Sequence, residues 1–224
     1  MANTAYAHFL LIIANIIYGA SYTIAKEAMP EYIQPFGFIL TRVIGAVLLF
    51  WTLRFFVNDE KVEKKDLLKL ALCGLFGVAI NQMLFFKGLS MTTPINAAII
   101  MTCNPVMVLI FSAFLIKETI TIKKSIGILL GISGAILLIL GSSELSFSYN
   151  SFSGDIFVYI NATSYALYLV LVKPLMEKYQ PITVVTWIFT FGLIYVFPFG
   201  IQDMVNVEWA NLPTTIWGAI LFIV

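Results

Sequence analysis

Residues 70–140 read LALCGLFGVAINQMLFFKGLSMTTPINAAIIMTCNPVMVLIFSAFLIKETITIKKSIGILLGISGAILLIL. Three apolar runs, Leu70–Gly88, Asn96–Ile116 and Ile126–Leu140, are separated by two short breaks. Polar residues inside them are few: Asn81-Gln82 and Lys87 in the first run, Asn104-Pro105 in the second, and Lys117-Glu118-Thr119 where the second ends. At a rise of about 1.5 Å per residue, runs of roughly 20 apolar residues match the ~30 Å hydrocarbon core of a bilayer. The block therefore reads as three consecutive membrane-spanning helices.

The rest of the chain repeats the pattern. Spans are expected near Ala7–Ala25, Phe36–Val57, Gly154–Val172 and Ile182–Ile201, with a further apolar stretch from Leu212 to Val224. Of the 224 residues, 60% are hydrophobic and 11% charged, and mean hydropathy is +0.95. A soluble domain carries about 25% charged residues, so too little polar surface exists here for a water-soluble globule. Transmembrane β-strands would be about 10 residues long and alternate apolar with polar, which these runs do not. The expected class is an all-α polytopic membrane protein with about seven complete spans and a partial eighth. Leu212–Val224 covers only about 20 Å, which leads to the expectation that the sequence is a piece of a longer protein and does not transport by itself.

Breaks have local causes. Pro30 and Pro35 are expected to stop and restart helix, because proline lacks an N–H to donate. Asn58–Lys69, the most charged segment, reads as a solvated amphipathic linker, and Lys173-Pro174 as the end of the sixth span. Pro105 is expected to kink the fourth span and release the carbonyl of Met101. Gly74, Gly77, Gly127, Gly131 and Gly134 are expected to allow close helix approach.

Ten of the thirteen Lys and Arg residues follow the second, fourth and sixth spans, which puts them on one side if spans alternate. The positive-inside rule makes that side cytoplasmic, so the expected location is the inner (plasma) membrane with a cytoplasmic N-terminus. An internal repeat agrees with this. Tyr18, Lys26 and then Gln34-Pro35 are echoed by Tyr165, Lys173 and then Gln180-Pro181. Five spans separate the copies, so they insert with opposite polarity.

Polar residues counted from each span's entry gather at one depth. Asn15, Asn81, Asn104 and Ser164-Tyr165 fall about 12–16 Å in, near the midplane. Arg42 falls about 9 Å below the outer edge, and Lys87 lies close to that edge. Polar groups at such depth face a bundle interior or a wet cavity. A transmembrane Asn also serves as interhelical glue, Lys87 as a snorkelling cation, and Arg42 as a structural partner of Glu27, Glu31 or carbonyls.

The absences are informative. One histidine, His8, and two cysteines, Cys73 and Cys103, provide no metal or haem ligand set, so no metal or cofactor is expected. An intramembrane serine protease needs a Gly-x-Ser-Gly nucleophile and a partnered histidine, and His8 sits at a membrane face, so no catalytic residue is expected. No G-x-x-x-x-G-K-[ST] loop is present to bind ATP.

Phe85-Phe86-Lys87-Gly88-Leu89, Thr92-Thr93, Asn96-Ala97-Ala98, Pro105-Val106, Leu115-Ile116-Lys117-Glu118 and Gly127…Gly134 together resemble the EamA-like branch of the drug/metabolite transporter superfamily. Tyr18-Gly19-Ala20-Ser21 with Arg42 resembles that family's first two helices, and Gly154-Asp155 with Ser164-Tyr165-Ala166-Leu167-Tyr168 the start of its second repeat. Lys87 and Lys117 depart from the pattern, the latter standing where the family often has Gly, and Arg42 aligns with Ile188 in the second copy.

The resemblance implies a ten-helix fold of two inverted five-helix repeats. The first covers residues 1–140, an extracytoplasmic loop covers 141–153, and an incomplete second repeat covers 154–224. It also implies a secondary transporter, exporting small metabolites or amino-acid-like compounds by alternating access through a central cavity. Asn15, Tyr18, Arg42, Asn81, Lys87, Asn104, Tyr165 and Tyr168 are the expected substrate-binding residues. The expected partners are a small-molecule substrate and the lipid bilayer; a homodimer is compatible with this reading, and no nucleic acid is expected. The competing reading is a non-transporting membrane protein, a lipid-headgroup flippase partner or sensor, with a cavity open to lipid.

Overall fold

The computed structural model describes residues 2–29, 31–56, 60–140 and 149–223, without the side chains of residues 2–7, 18, 22, 135–140 and 149–151. Those residues are helical throughout, with short connections and no strand. Helix α1 spans Ala2–Ala28 and α2 spans Pro35–Phe56. Helix α3 (Lys64–Gly74) runs through a π-helical segment, Leu75–Ile80, into α4 (Asn81–Met91). Then follow α5 (Pro94–Met101), α6 (Asn104–Leu115), α7 (Ile122–Leu140), α8 (Tyr149–Lys178), α9 (Pro181–Val205) and α10 (Thr214–Ile223).

Among the described residues, six stretches are long and apolar enough to cross a membrane: His8–Ala28, Pro35–Phe56, Lys64–Met91, Pro94–Leu115, Phe152–Lys178 and Pro181–Val205. Helix α7, with 19 residues, is a further apolar helix, and α10 is a shorter one of 10. The chain is a polytopic helical membrane protein.

Several expected boundaries move. The helix of the third span begins at Lys64, inside the stretch expected to be linker, because Asp66 is buried and held across the fold by Lys178 and Tyr179. Helix α8 runs through Pro174 to Lys178, the proline costing one backbone bond near the helix end without breaking it. It also begins at Tyr149, within the stretch expected to be loop, while Gly141–Ser148, Pro30 and Val57–Asp59 lie outside the described residues. At Pro105 the chain does more than kink. Helix α5 ends at Met101, the N–H groups of Thr102 and Cys103 turn back to the carbonyls of Ile99 and Ile100, and α6 starts at Asn104.

Helix α2 packs antiparallel to α9: Gly37 lies against Asp203, Gly200 against the Phe36 carbonyl, and Phe50 against Phe189. Helix α4 packs antiparallel to α8, where Gly88 and Gly154 bring backbone to backbone; a Cβ on Gly88 would sit 2.8 Å from the Gly154 carbonyl oxygen. Gly74 meets the Ile188 carbonyl of α9 at the same close range, and Gly77 lies under the Tyr168 ring. Gly127, Gly131 and Gly134 behave otherwise. A Cβ on any of them would meet nothing within 4 Å, so the close approach expected of α7 is not made.

Polar contacts gather at the two ends. At one, Glu118 pairs with Lys124 (2.5 Å) and Lys173 (3.3 Å), Asp66 accepts from Lys178 (2.6 Å) and Tyr179 (2.8 Å), and Arg54 donates to the Glu60 carbonyl (2.8 Å). Hydrogen bonds from Lys124 and Lys173 hold the Glu118 carboxyl below the usual carboxylate range. At the other end, Lys26 donates to the Thr92 carbonyl (3.1 Å) and the Thr92 hydroxyl to Asp155 (2.6 Å). These contacts require consecutive spans to alternate in direction.

Candidate functional site

Helices α2, α4, α8 and α9 enclose a cavity of about 220 Å³. Its polar lining comes from Ser21, Arg42, Asn81, Gln82, Asn161, Tyr165 and Tyr168, and its apolar lining includes Phe85, Phe86 and Phe189. Arg42 is the one formal charge among these lining residues, and no carboxylate is among them.

Each wall has a local cause. On α8, Asn161, Tyr165 and Tyr168 are spaced four and three apart, so they share one face of the helix. The two tyrosine rings lie 5.7 Å apart, centroid to centroid. Opposite them the π-helical segment widens the chain just before Asn81. Two α8 side chains satisfy carbonyls there: Ser164 donates to Phe76 at 2.7 Å, and the Asn161 amide to Asn81 at 2.7 Å. Gly77 has no side chain because Tyr168 occupies that space; an added Cβ would come within 2.5 Å of the ring. On α2, Arg42 lies two turns beyond Pro35, and Ile188 on α9 reaches the same cavity.

Of the residues expected to bind substrate, Arg42, Asn81, Tyr165 and Tyr168 meet here. The others do not. Asn15 is exposed on α1, its amide returned to the Leu11 carbonyl at 2.8 Å, and its helix supplies the cavity with Ser21 instead. Lys87 is half-buried on α4 and is not among the lining residues. The Asn104 amide donates to the Ala162 carbonyl of α8 at 3.2 Å, which is the interhelical-glue role. The Tyr18 side chain lies outside the described residues.

Three polar lining residues, Ser21, Gln82 and Asn161, were not among those expected to bind substrate. Gln82 adjoins Asn81 and is 8% exposed; Asn161 is 1% exposed. The spacing of Asn161 to Tyr165 and Tyr168 was the available signal, since it places an amide on the face that carries both tyrosines.

A second groove, of about 770 Å³, is shallower and runs between α5, α6, α7 and α8. Thr102, Asn104, Val108, Gly127 and Gly131 line its length, and Glu118, Lys123 and Lys124 lie at its charged end. It is larger than the first cavity but mostly apolar along its length. Among the described residues no cluster of three or more His, Cys, Asp or Glu is arranged to hold a metal ion.

The chain is 27% identical over 224 residues to an uncharacterized transporter, YyaM, of Bacillus subtilis (strain 168), matching 96% of this chain and 71% of that one. It is 27% identical over 190 residues to an uncharacterized transporter of Archaeoglobus fulgidus, of which it spans 66%, slightly less than two thirds. A WAT1-related protein of Arabidopsis thaliana, At1g43650, is 23% identical over 198 residues, 77% of this chain and 57% of that one. A solved crystal structure with 16% sequence identity shares the fold at a TM-score of 0.66, covering 93% of this chain and 73% of that one. The profile of the EamA-like transporter family matches residues 5–140 and 152–224, most of the chain, and the protein belongs to that family.

Proposed function

We propose that the protein is a secondary transporter that exports small metabolites across the inner (plasma) membrane by alternating access, with the α2–α4–α8–α9 cavity as its substrate site. The observation that carries this reading is the cavity itself. Arg42, three amides and two tyrosines converge within apolar helices, where polar groups are costly unless they serve a site. The positive charge that Arg42 brings to the cavity wall favours a substrate bearing a carboxylate or phosphate.

The inverted repeat of five-helix units, in a ten-helix whole, is part of the same proposal. Gln34-Pro35 and Gln180-Pro181 each introduce a helix, α2 and α9, and the two run antiparallel with Arg42 and Ile188 on one cavity. Inverted repeats place their binding site at such an interface. The end that gathers Lys124, Lys173 and Lys178 is assigned to the cytoplasm by the positive-inside rule, which also places the N-terminus there.

The test is flux in reconstituted vesicles. Arg42→Ala is expected to abolish transport of an anionic substrate while expression and insertion stay intact, and Arg42→Lys to retain part of it. Unchanged flux in Arg42→Ala removes Arg42 from the mechanism. A second reading, a non-transporting protein that engages lipid headgroups, draws on the α5–α8 groove with Lys123 and Lys124 at its charged end. It predicts that Lys123→Gln with Lys124→Gln changes lipid co-purification, while no solute flux depends on Arg42.

A further inference from the structure

We propose that Gln82 and Asn161 form a donor-reading subsite, so that this cavity selects small organic anions carrying an N–H or O–H group over those without one. The inference rests on the cavity being the substrate site and concerns what that site distinguishes.

Both side chains are more than nine-tenths buried and both line the cavity. The Asn161 amide is oriented by its own bond. Its NH₂ group donates to the Asn81 carbonyl at 2.7 Å, which leaves the opposite atom, Oδ1, as an acceptor. Neither Asn161 Oδ1 nor Gln82 Oε1 has a hydrogen-bond partner among the described residues. Buried polar atoms are nearly always paired, so an acceptor on a cavity wall with no protein partner is placed to take a bond from a donor on a ligand.

The surroundings narrow the class. Arg42 supplies positive charge to the same lining, which disfavours a ligand that is only a cation. Phe85, Phe86 and Phe189 supply an apolar wall for the ligand's body. The two acceptors then ask for a donor on a molecule that also carries an anionic group. A site built to accept such a bond rejects an analogue lacking it, because its buried acceptors are left unmade.

Two probes of equal charge isolate this property: 3-phenyllactate, with a free hydroxyl, and its O-methyl ether, without one. Binding to the purified protein is measured by titration, and flux in vesicles. The wild type is expected to bind phenyllactate about tenfold or more tighter than the ether. Gln82→Met, which keeps the side chain's length and removes its acceptor, is expected to bring that ratio to about twofold or less. It should do so by weakening phenyllactate binding and not by strengthening the ether. Asn161→Leu should do the same but also removes the support of the Asn81 carbonyl, so Gln82→Met carries the test. Without ligand, Gln82→Met should melt no lower than wild type, since it deletes an unmade acceptor; a Gln82 needed only for packing would lower the melting temperature and leave the ratio unchanged.

A wild type that binds both probes equally, or neither, overturns the subsite. The two readings fail separately. If phenyllactate flux requires Arg42 while the ratio is one, the substrate site stands and the donor-reading falls. If flux and binding are indifferent to Arg42→Ala, the substrate-site reading falls first.

Discussion

The glycines of α4 and α8 differ from those of α7 in what surrounds them. Gly88 and Gly154 face each other so closely that a Cβ on Gly154 would lie 2.9 Å from both the Gly88 carbonyl oxygen and the Thr92 nitrogen. On α7, Gly127 and Gly131 border the wide groove and have open space where a side chain would be. In sequence the two sets look alike, glycines within apolar helices. In the fold the first set joins two backbones, while the second faces open space. A glycine in a span is therefore evidence of close approach only when a partner backbone is known to arrive there.

The largest expected effect comes from closing that first contact. Gly154→Ala should cost about 1–3 kcal/mol by overpacking, and Gly154→Val should prevent recovery of folded protein. Thermal unfolding in detergent measures the first and expression with size-exclusion elution the second. A Gly154→Ala protein as stable as wild type would break the comparison.

Next is the turn between α6 and α7. Lys117 adopts φ 53°, in the left-handed region, and the Glu118 N–H returns to the Ser112 carbonyl at 3.1 Å. A side chain there costs roughly 1–2 kcal/mol, which glycine avoids. Lys117→Gly should accordingly raise the melting temperature by about 2–4 °C.

A smaller gain is expected on α7. Gly131→Ala meets no neighbour and should stabilise by about 0.5–1 kcal/mol through helix propensity, the opposite sign to Gly154→Ala.

The smallest effect concerns Glu118, whose carboxyl titrates below its ordinary value because Lys124 and Lys173 donate to it. A group depressed in the folded state contributes stability above its unfolded pKa and loses it as the pH falls through the folded value. Glu118→Gln should therefore melt below wild type at pH 7, and the difference should fade at acidic pH, below about 4. A gap that does not narrow at all as the pH falls from 5 to 3 would assign the effect to something other than these ion pairs.

Depth was legible in the sequence; direction around the helix was less so. Apolar run length located the spans, and counting from their ends put Arg42, Asn81 and Tyr165 at levels that the cavity occupies. Asn104 lies at a similar counted depth, yet its amide turns to the Ala162 carbonyl, because the break after Met101 resets which way the next helix faces. Gln82 was passed over because an amide beside another amide says nothing of which one points inward. Asp66 sat in a lysine-rich segment that reads as solvated, and only its partners on α8 and the following turn, 112 and 113 residues away, explain its burial. Such partners are set by tertiary packing, which a single chain's local pattern does not encode.

The π-helical segment Leu75–Ile80 also bears on how this family is compared. Asp66, Leu70, Gly74, Val78, Gln82, Phe85 and Leu89 are all buried, and six steps along that stripe take 23 residues. A regular α-helix, at 3.6 residues per turn, covers the same six turns in about 22. The wide turn thus absorbs one residue, and with it about 100° of phase. A relative with an unbroken α-helix here should be one residue shorter between Gly74 and Asn81, and an ungapped alignment would then pair its cavity residues with the wrong side of α4. Deleting one residue from Leu75–Ile80 would leave the span long enough to cross the bilayer while turning Asn81 and Gln82 away from Arg42.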